Sequence, residues 1–274
     1  MKSMNLEVKE LSFTYPAGVQ ALRSVSLRID SGEQVAIVGQ NGAGKTTLVR
    51  HFNGLLRPTQ GSVFVGDWDS RQFSVAKLAS RVGYVFQNPD EQLFCKTVHD
   101  EVAFGPRNLG YTANKIETLV TDALALAGLQ DKAQTNPYDL SPTWRKMVAL
   151  ASVVSMDTPI VIFDEPTTGQ DAASVKRIAA VIAALHQSGK TVIAISHDID
   201  FCAENFDRII ALSQGEVLLD GSAREVLCQE EVLAATYVTP PQLTRLGMRL
   251  GFAETVLNPE EFLEVYRGRI IEAG

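Results

Sequence analysis

The sequence predicts an α/β domain built on a largely parallel sheet covered on both faces. Three observations carry that prediction. Three short, mostly apolar runs, Gln34–Val38, Ile160–Phe163 and Thr191–Ile195, lack polar alternation, as strands buried on both faces do. Helix-patterned segments separate them, as crossover connections between parallel strands require. Each run then ends on glycine or polar residues, at Gly39, at Asp164-Glu165 and at Ser196-His197. In such sheets ligands bind outside the carboxyl ends of the strands.

The elements follow in chain order. Leu6 to Ile29 alternates apolar and polar types, which predicts antiparallel strands with one wet face and a turn at Pro16-Ala17-Gly18. The strand Gln34–Val38 runs into a glycine loop, and Thr46 to Asn53 reads as a helix. Gly61–Val65 and Arg81–Gln87 carry further strands. Thr97 to Ala127 is expected to be helical, broken at Gly105-Pro106 and at Gly110, with Gly128 as a stop. Lys146–Met156 is a helix, the second apolar strand follows, and Ala172–Ser188 is the next helix. After the third strand, Ile209–Leu219 reads as a hairpin around Gln214-Gly215. Ala223–Tyr237 is helical, Thr239-Pro240-Pro241 breaks it, and two short helices follow, the last capped by Asn258 with Pro259 at its first position. The expected division is a domain over 1–222, with a helical part at about 88–156, and a helical appendage over 223–274.

At 274 residues the chain can bury a large core. A hydrophobic fraction of 45% and a charged fraction of 21% are ordinary for a globular protein. A net charge of −7 argues against nucleic acid as the main partner. No apolar run reaches the length of about 18 residues needed to span a bilayer, and Met1 to Glu10 lacks a signal-peptide stretch. Cys95, Cys202 and Cys228 show neither metal-ligand spacing nor a disulfide framework and read as core or surface thiols.

The strongest motif is Gly39-Gln40-Asn41-Gly42-Ala43-Gly44-Lys45-Thr46, a G-x-x-x-x-G-K-[ST] loop between a predicted strand and a predicted helix. Glycines let successive backbone N–H groups turn toward phosphate oxygens, and the helix adds its positive end. Lys45 neutralises the β and γ phosphates, and the Thr46 hydroxyl ligates Mg²⁺. Gly39, Asn41, Gly42, Ala43, Gly44, Lys45, Thr46 and Thr47 are therefore the candidate ATP contacts. Asp164, at the end of an apolar strand, is placed to hold the Mg²⁺ shell. Glu165 beside it is the candidate general base for the attacking water. Gln87 and His197 end two further strands at the same sheet edge.

On these residues the chain resembles the nucleotide-binding subunits of ATP-binding-cassette transporters, from about Leu6 to Gly221. The resemblance implies a P-loop ATPase with an antiparallel β subdomain and a helical subdomain. It implies that Gln87 senses the γ phosphate and Mg²⁺, that His197 contacts the γ phosphate, and that Tyr15 stacks on adenine, with Phe13 a nearby competitor. A narrower resemblance runs through Phe86-Gln87-Asn88-Pro89-Asp90-Glu91-Gln92-Leu93-Phe94, Thr97-Val98 and Glu101–Gly105. It is similar to the ATPases of energy-coupling-factor importers, the vitamin and cobalt/nickel group, and so is the tail from Pro240 through Gly251. That implies an ATP-hydrolysing subunit, peripheral at the cytoplasmic face of the membrane. Its implied partners are a second ATPase subunit, a transmembrane coupling subunit and a substrate-binding membrane subunit, and the appendage is implied to make dimer contacts. The competing readings are a soluble cassette ATPase acting on nucleic acid or ribosomes, and a low-turnover regulatory subunit.

The family's signature, Leu-Ser-Gly-Gly-Gln, is Leu140-Ser141-Pro142-Thr143-Trp144 here. In the family the signature contacts ATP held by the opposite subunit. Ser141 remains, which implies a weak contact from its hydroxyl to the partner's ATP, and it can cap the following helix. Pro142 has no N–H to donate, and Thr143 and Trp144 add bulk where backbone must approach phosphate. Each lost charge-assisted hydrogen bond weakens the contact by about 1.5–3 kcal/mol. Gln170 also stands where the family has leucine, although Asp171 is retained. An intact phosphate loop beside a degenerate signature favours a heterodimer with a paralogue over a homodimer.

Overall fold

The computed structural model describes residues 4–273, so Met1–Ser3 and Gly274, the outer ends of the expected domain and appendage, lie outside the described residues. The strands are β1 (Leu6–Thr14), β2 (Gln20–Ile29), β3 (Gln34–Val38), β4 (Gln60–Val65), β5 (Trp68–Asp69), β6 (Val82–Val85), β7 (Ile160–Asp164), β8 (Thr191–Ile195), β9 (Arg208–Ser213) and β10 (Glu216–Ser222). The helices are α1 (Lys45–Phe52), α2 (Val75–Leu78), α3 (Val98–Asn108), α4 (Ala113–Ala127), α5 (Pro142–Val154), α6 (Ala172–Gln187), α7 (Ile199–Asn205), α8 (Ala223–Leu227), α9 (Glu230–Ala234), α10 (Gln242–Arg249) and α11 (Pro259–Ala273).

Among the described residues the strands form two sheets. The first is antiparallel, in the order β2-β1-β4-β5. The second runs β10-β9-β3-β8-β7-β6, parallel except for the β9–β10 hairpin. The period of two divides each central strand between two cores. Val35, Ile37, Ile160, Ile162, Ile193 and Ile195 face the antiparallel sheet and α1. Ala36, Val38, Val161, Phe163, Val192 and Ala194 face the helical layer that contains α4, α5 and α6. This is why the sequence of these strands shows no alternation.

Register aligns the strand ends. Ile37 pairs with Ile195, Asp164 with Ile195, and Val85 with Phe163. Gly39, Phe86-Gln87, Asp164-Glu165 and Ser196-His197 therefore leave the sheet along one edge.

The helices correct four expectations. α3 does not break at Gly105-Pro106. Proline at 106 denies Val102 O its helical donor, and the Ser155 hydroxyl, from α5's end, donates to it instead at 2.7 Å. Gly105 faces Met156, where an added Cβ would come within 2.5 Å of Met156 Cγ, so the glycine lets α3 approach α5 closely. α5 starts at Pro142, one turn before Lys146, with the Ser141 hydroxyl capping Trp144 N. The stretch from Ala223 divides into α8 and α9, and α11 is a full 15 residues rather than short. Gly110 and Gly128 do end helices, both at positive φ.

Candidate nucleotide site

The loop leaving β3 needs its glycines. Gly39, Gly42 and Gly44 have φ of 145°, 81° and 102°, the region L side chains avoid. A Cβ at Gly39 would run into Leu212 O, and one at Gly44 would lie 2.6 Å from Ala21 O. The loop delivers Lys45 at the first turn of α1, 6% exposed. Its Nζ donates to Gly39 O at 2.7 Å and to Gln40 O at 3.0 Å, and burial holds its pKa below the usual lysine value. Thr46 Oγ1 lies 3.4 Å from Asp164 Oδ1. The other oxygen, Asp164 Oδ2, accepts from the Tyr84 hydroxyl at 2.5 Å, and burial with this carboxylate pushes the Tyr84 phenol up.

Glu165 sits beyond the end of β7 with φ 49°. Its N–H donates to Ile195 O at 2.9 Å, which anchors it to β8. Its Oε2 lies 2.7 Å from His197 Nδ1 and 3.4 Å from the Thr168 hydroxyl. Gln87 is exposed and lines the same cleft, of about 710 Å³, with Gly39, Asn41, Glu165 and His197.

Tyr15 and Phe13 separate clearly. Phe13 is 8% exposed and packs edge-on against His51 in the core. Tyr15 lines the cleft that holds Asn41, Gly42 and Gly44–Thr47, and its hydroxyl is 3.0 Å from Thr47 Oγ1. Ser141 and Pro142 lie exposed at the start of α5, whereas Trp144 folds back onto the helical core, its ring 4.5 Å from Lys132 Nζ and 5.6 Å from the Arg177 guanidinium. The tryptophan bulk is therefore directed into the fold and away from the exposed helix start. Asp171 caps α6 by accepting from Ser174 N at 2.8 Å.

Three parts of the site carried no sequence signal. Tyr84 reads as one more strand residue. Lys146 reads as an ordinary helical lysine but is 2% exposed, with Nζ donating to main-chain oxygens of Phe86, Gln87 and Glu165. The segment after α9 packs on the phosphate loop, with Gln40 N donating to Thr236 O at 3.0 Å, and Tyr237 to Gln242 form one wall of the cleft. The appendage is thus part of the site's surroundings.

The family description "ABC transporter" matches residues 22–168. The chain belongs to the ABC transporter family. An energy-coupling factor transporter ATP-binding protein, EcfA, of Methanothermobacter thermautotrophicus is 37% identical over 251 residues, which cover 90% of this chain and 80% of that one. A Caldanaerobacter subterraneus protein described as an ABC transporter ATP-binding protein is 38% identical over 258 residues, 94% of this chain. This chain spans 45% of that relative's length, and 40% of a similar one from Methanosarcina acetivorans, so it is about half as long as either. The solved structure of cbiO1 from Clostridium perfringens, titled as part of the ABC transporter complex cbiONQ, superposes with a TM-score of 0.75 at 34% identity. The match covers 90% of this chain and 98% of cbiO1.

The residues of this ABC-type site fit Mg-ATP. A glycine cradle, a buried ammonium and a helix N-terminus suit phosphate. Thr46 Oγ1 and Asp164 Oδ1 are hard oxygen donors set together. Among the described residues no group of three or more His, Cys, Asp and Glu could hold a metal by itself. Among the described residues no helix is long and apolar enough to cross a membrane.

Proposed function

We propose that this chain is the Mg-ATP-binding and hydrolysing subunit of an energy-coupling-factor-type importer, held at the cytoplasmic face of the membrane by its partners. The observation that carries the reading is the single sheet edge on which Lys45, Thr46 and Asp164 meet the Glu165–His197 pair. Bound Mg-ATP supplies the phosphoanhydride to be cleaved and a cation that offsets its charge. The N–H groups of Asn41–Thr47 and Lys45 Nζ hold the phosphates, Tyr15 stacks on adenine, and Thr46, Asp164 and Gln87 hold the cation. Glu165 Oε2 takes the proton of the attacking water, and His197 orients that carboxylate and reaches the γ phosphate. The ATPase domain is 1–222 and the appendage 223–274 contributes dimer contacts.

The partner surface is an apolar groove of about 250 Å³ between α3 and the Gln87 loop. Phe94 and Phe104, 61% and 44% exposed, pack edge-on at its mouth. A helix or loop of a membrane subunit suits it. The second ATPase subunit is a paralogue, because Pro142 offers no N–H, and Ser141, whose Oγ accepts from Trp144 N and keeps its own proton to donate, is left as a weak contact to the partner's ATP. Each composite site pairs one chain's phosphate loop with the other's signature, so this pairing makes one competent and one degenerate site. The relatives named EcfA and the cbiO1 structure support the importer class, and the transported substrate is selected elsewhere.

The test is co-purification with a transmembrane coupling subunit. Phe94→Asp with Phe104→Asp should release the chain from membranes and leave ATP binding intact. Membrane association that survives both substitutions overturns the docking assignment.

A further inference from the structure

Lysine is rarely buried, because removing an ammonium from water is costly unless its three donors are met. Lys146, at 2% exposure, meets them with three main-chain oxygens: Gln87 O at 2.7 Å, Phe86 O at 3.1 Å and Glu165 O at 3.3 Å. Two of these belong to the loop leaving β6 and one to the residue after β7, so one head group joins two segments distant in sequence.

The acceptors are not arbitrary. Glu165 stands at φ 49°, a conformation that persists only where surroundings over-determine it. Its N–H is held by Ile195 O and its side chain by His197, while Lys146 holds its carbonyl. On the other side, Gln87 precedes a segment tied to the same helix, since the Gln92 amide donates to Ala149 O at 2.6 Å and to Ser152 Oγ at 2.9 Å. α5 itself begins at the exposed Pro142, four residues before Lys146.

We infer that Lys146 is a positioning residue that locks the Gln87 loop, the Glu165 backbone and α5 into one unit, so that a displacement at the apolar groove or at the start of α5 reaches the catalytic carboxylate. The inference rests on the reading of Glu165 as the base. A hydrophobic residue of equal length would fill the space and leave three carbonyls without donors, loosening Glu165 while leaving the phosphate loop untouched.

The experiment uses the full chain with its partner subunits and compares Lys146→Met, Lys146→Arg and Lys146→Gln. Lys146→Met should lower kcat by tenfold or more, with KM for ATP and affinity for a non-hydrolysable ATP analogue within about threefold of wild type. Lys146→Arg, which keeps charge and donors, should recover most of the kcat. If Lys146→Met does not fold, Lys146→Gln, with two N–H donors, carries the test and should show a smaller kcat loss at unchanged affinity. Wild-type kcat in a folded Lys146→Met or Lys146→Gln, or losses of kcat and affinity in equal measure, overturn the inference. Glu165→Gln run in parallel separates the two readings. If it is inert while Lys146→Met is fully active, only the positioning role falls; if it is fully active, the base assignment falls first.

Discussion

His197 Nδ1 lies 2.7 Å from Glu165 Oε2, and both residues hang from neighbouring strands fixed by the Glu165 N–H bond to Ile195 O. The imidazole thus fixes a carboxylate oxygen that a water could reach from the cleft. General-base catalysis is worth about 10²–10⁴-fold. Glu165→Gln should therefore lower hydrolysis by at least about 100-fold while ATP binding persists. His197→Ala should lose a smaller factor, because the carboxylate remains but is less well oriented. Steady-state hydrolysis and nucleotide-binding measurements check both, and wild-type turnover in Glu165→Gln removes the base assignment.

The proposed degeneracy of the signature makes a second prediction. The exposed start of α5 lacks the N–H that glycine at 142 would present, and each such charge-assisted bond is worth about 1.5–3 kcal/mol. Purified alone, the chain should turn over ATP slowly. Pro142→Gly with Thr143→Gly should raise that rate, since Ser141 still caps α5. Trp144 belongs to a different class. Its ring packs on the helical core beside Lys132 and Arg177, so Trp144→Ala should cost about 1–2 kcal/mol of stability. Turnover of the unmodified chain at the rate of ordinary transport ATPases contradicts the heterodimer reading.

A third prediction separates two neighbouring rings. Tyr15 lines the cleft and Phe13 lies against His51 in the core. Base–aromatic stacking is worth about 1–3 kcal/mol. Tyr15→Ala should weaken ATP binding about tenfold with little change in melting temperature. Phe13→Ala should cost about 3–5 kcal/mol of stability. Equal losses of affinity in both variants, at equal stability, refute the assignment to Tyr15.

The parallel sheet was legible because burial on both faces removes polar alternation, as in Ile160–Phe163, and the phosphate loop because Gly39 and Gly44 sit where a Cβ would strike backbone. What was not legible depends on partners distant in sequence. α3 runs through Gly105-Pro106 because Ser155, 53 residues beyond Val102, satisfies the carbonyl that Pro106 orphans. Lys146 looks like any solvent-facing lysine until the fold buries it under Gln87 and Glu165. Thr236 reaches the phosphate loop through its carbonyl oxygen alone, and a main-chain contact leaves no trace in residue type.

His51 gives the chain a pH dependence. It is fully buried in α1, its Nδ1–H donates to Thr47 O at 2.7 Å, and its ring meets Phe13 edge-on at 4.9 Å. Burial holds its pKa below the ordinary 6.5. As pH falls, the unfolded chain therefore takes up this proton before the folded one does. The stability contribution is whole above 6.5 and is lost as pH falls through the lower folded value. The carboxylates' ordinary values of 3.8 and 4.5 lie below the upper part of this window. Urea midpoints should therefore fall between about pH 7 and pH 5.5, and His51→Leu should flatten that slope. Identical acid slopes in the two proteins assign the pH dependence to other groups.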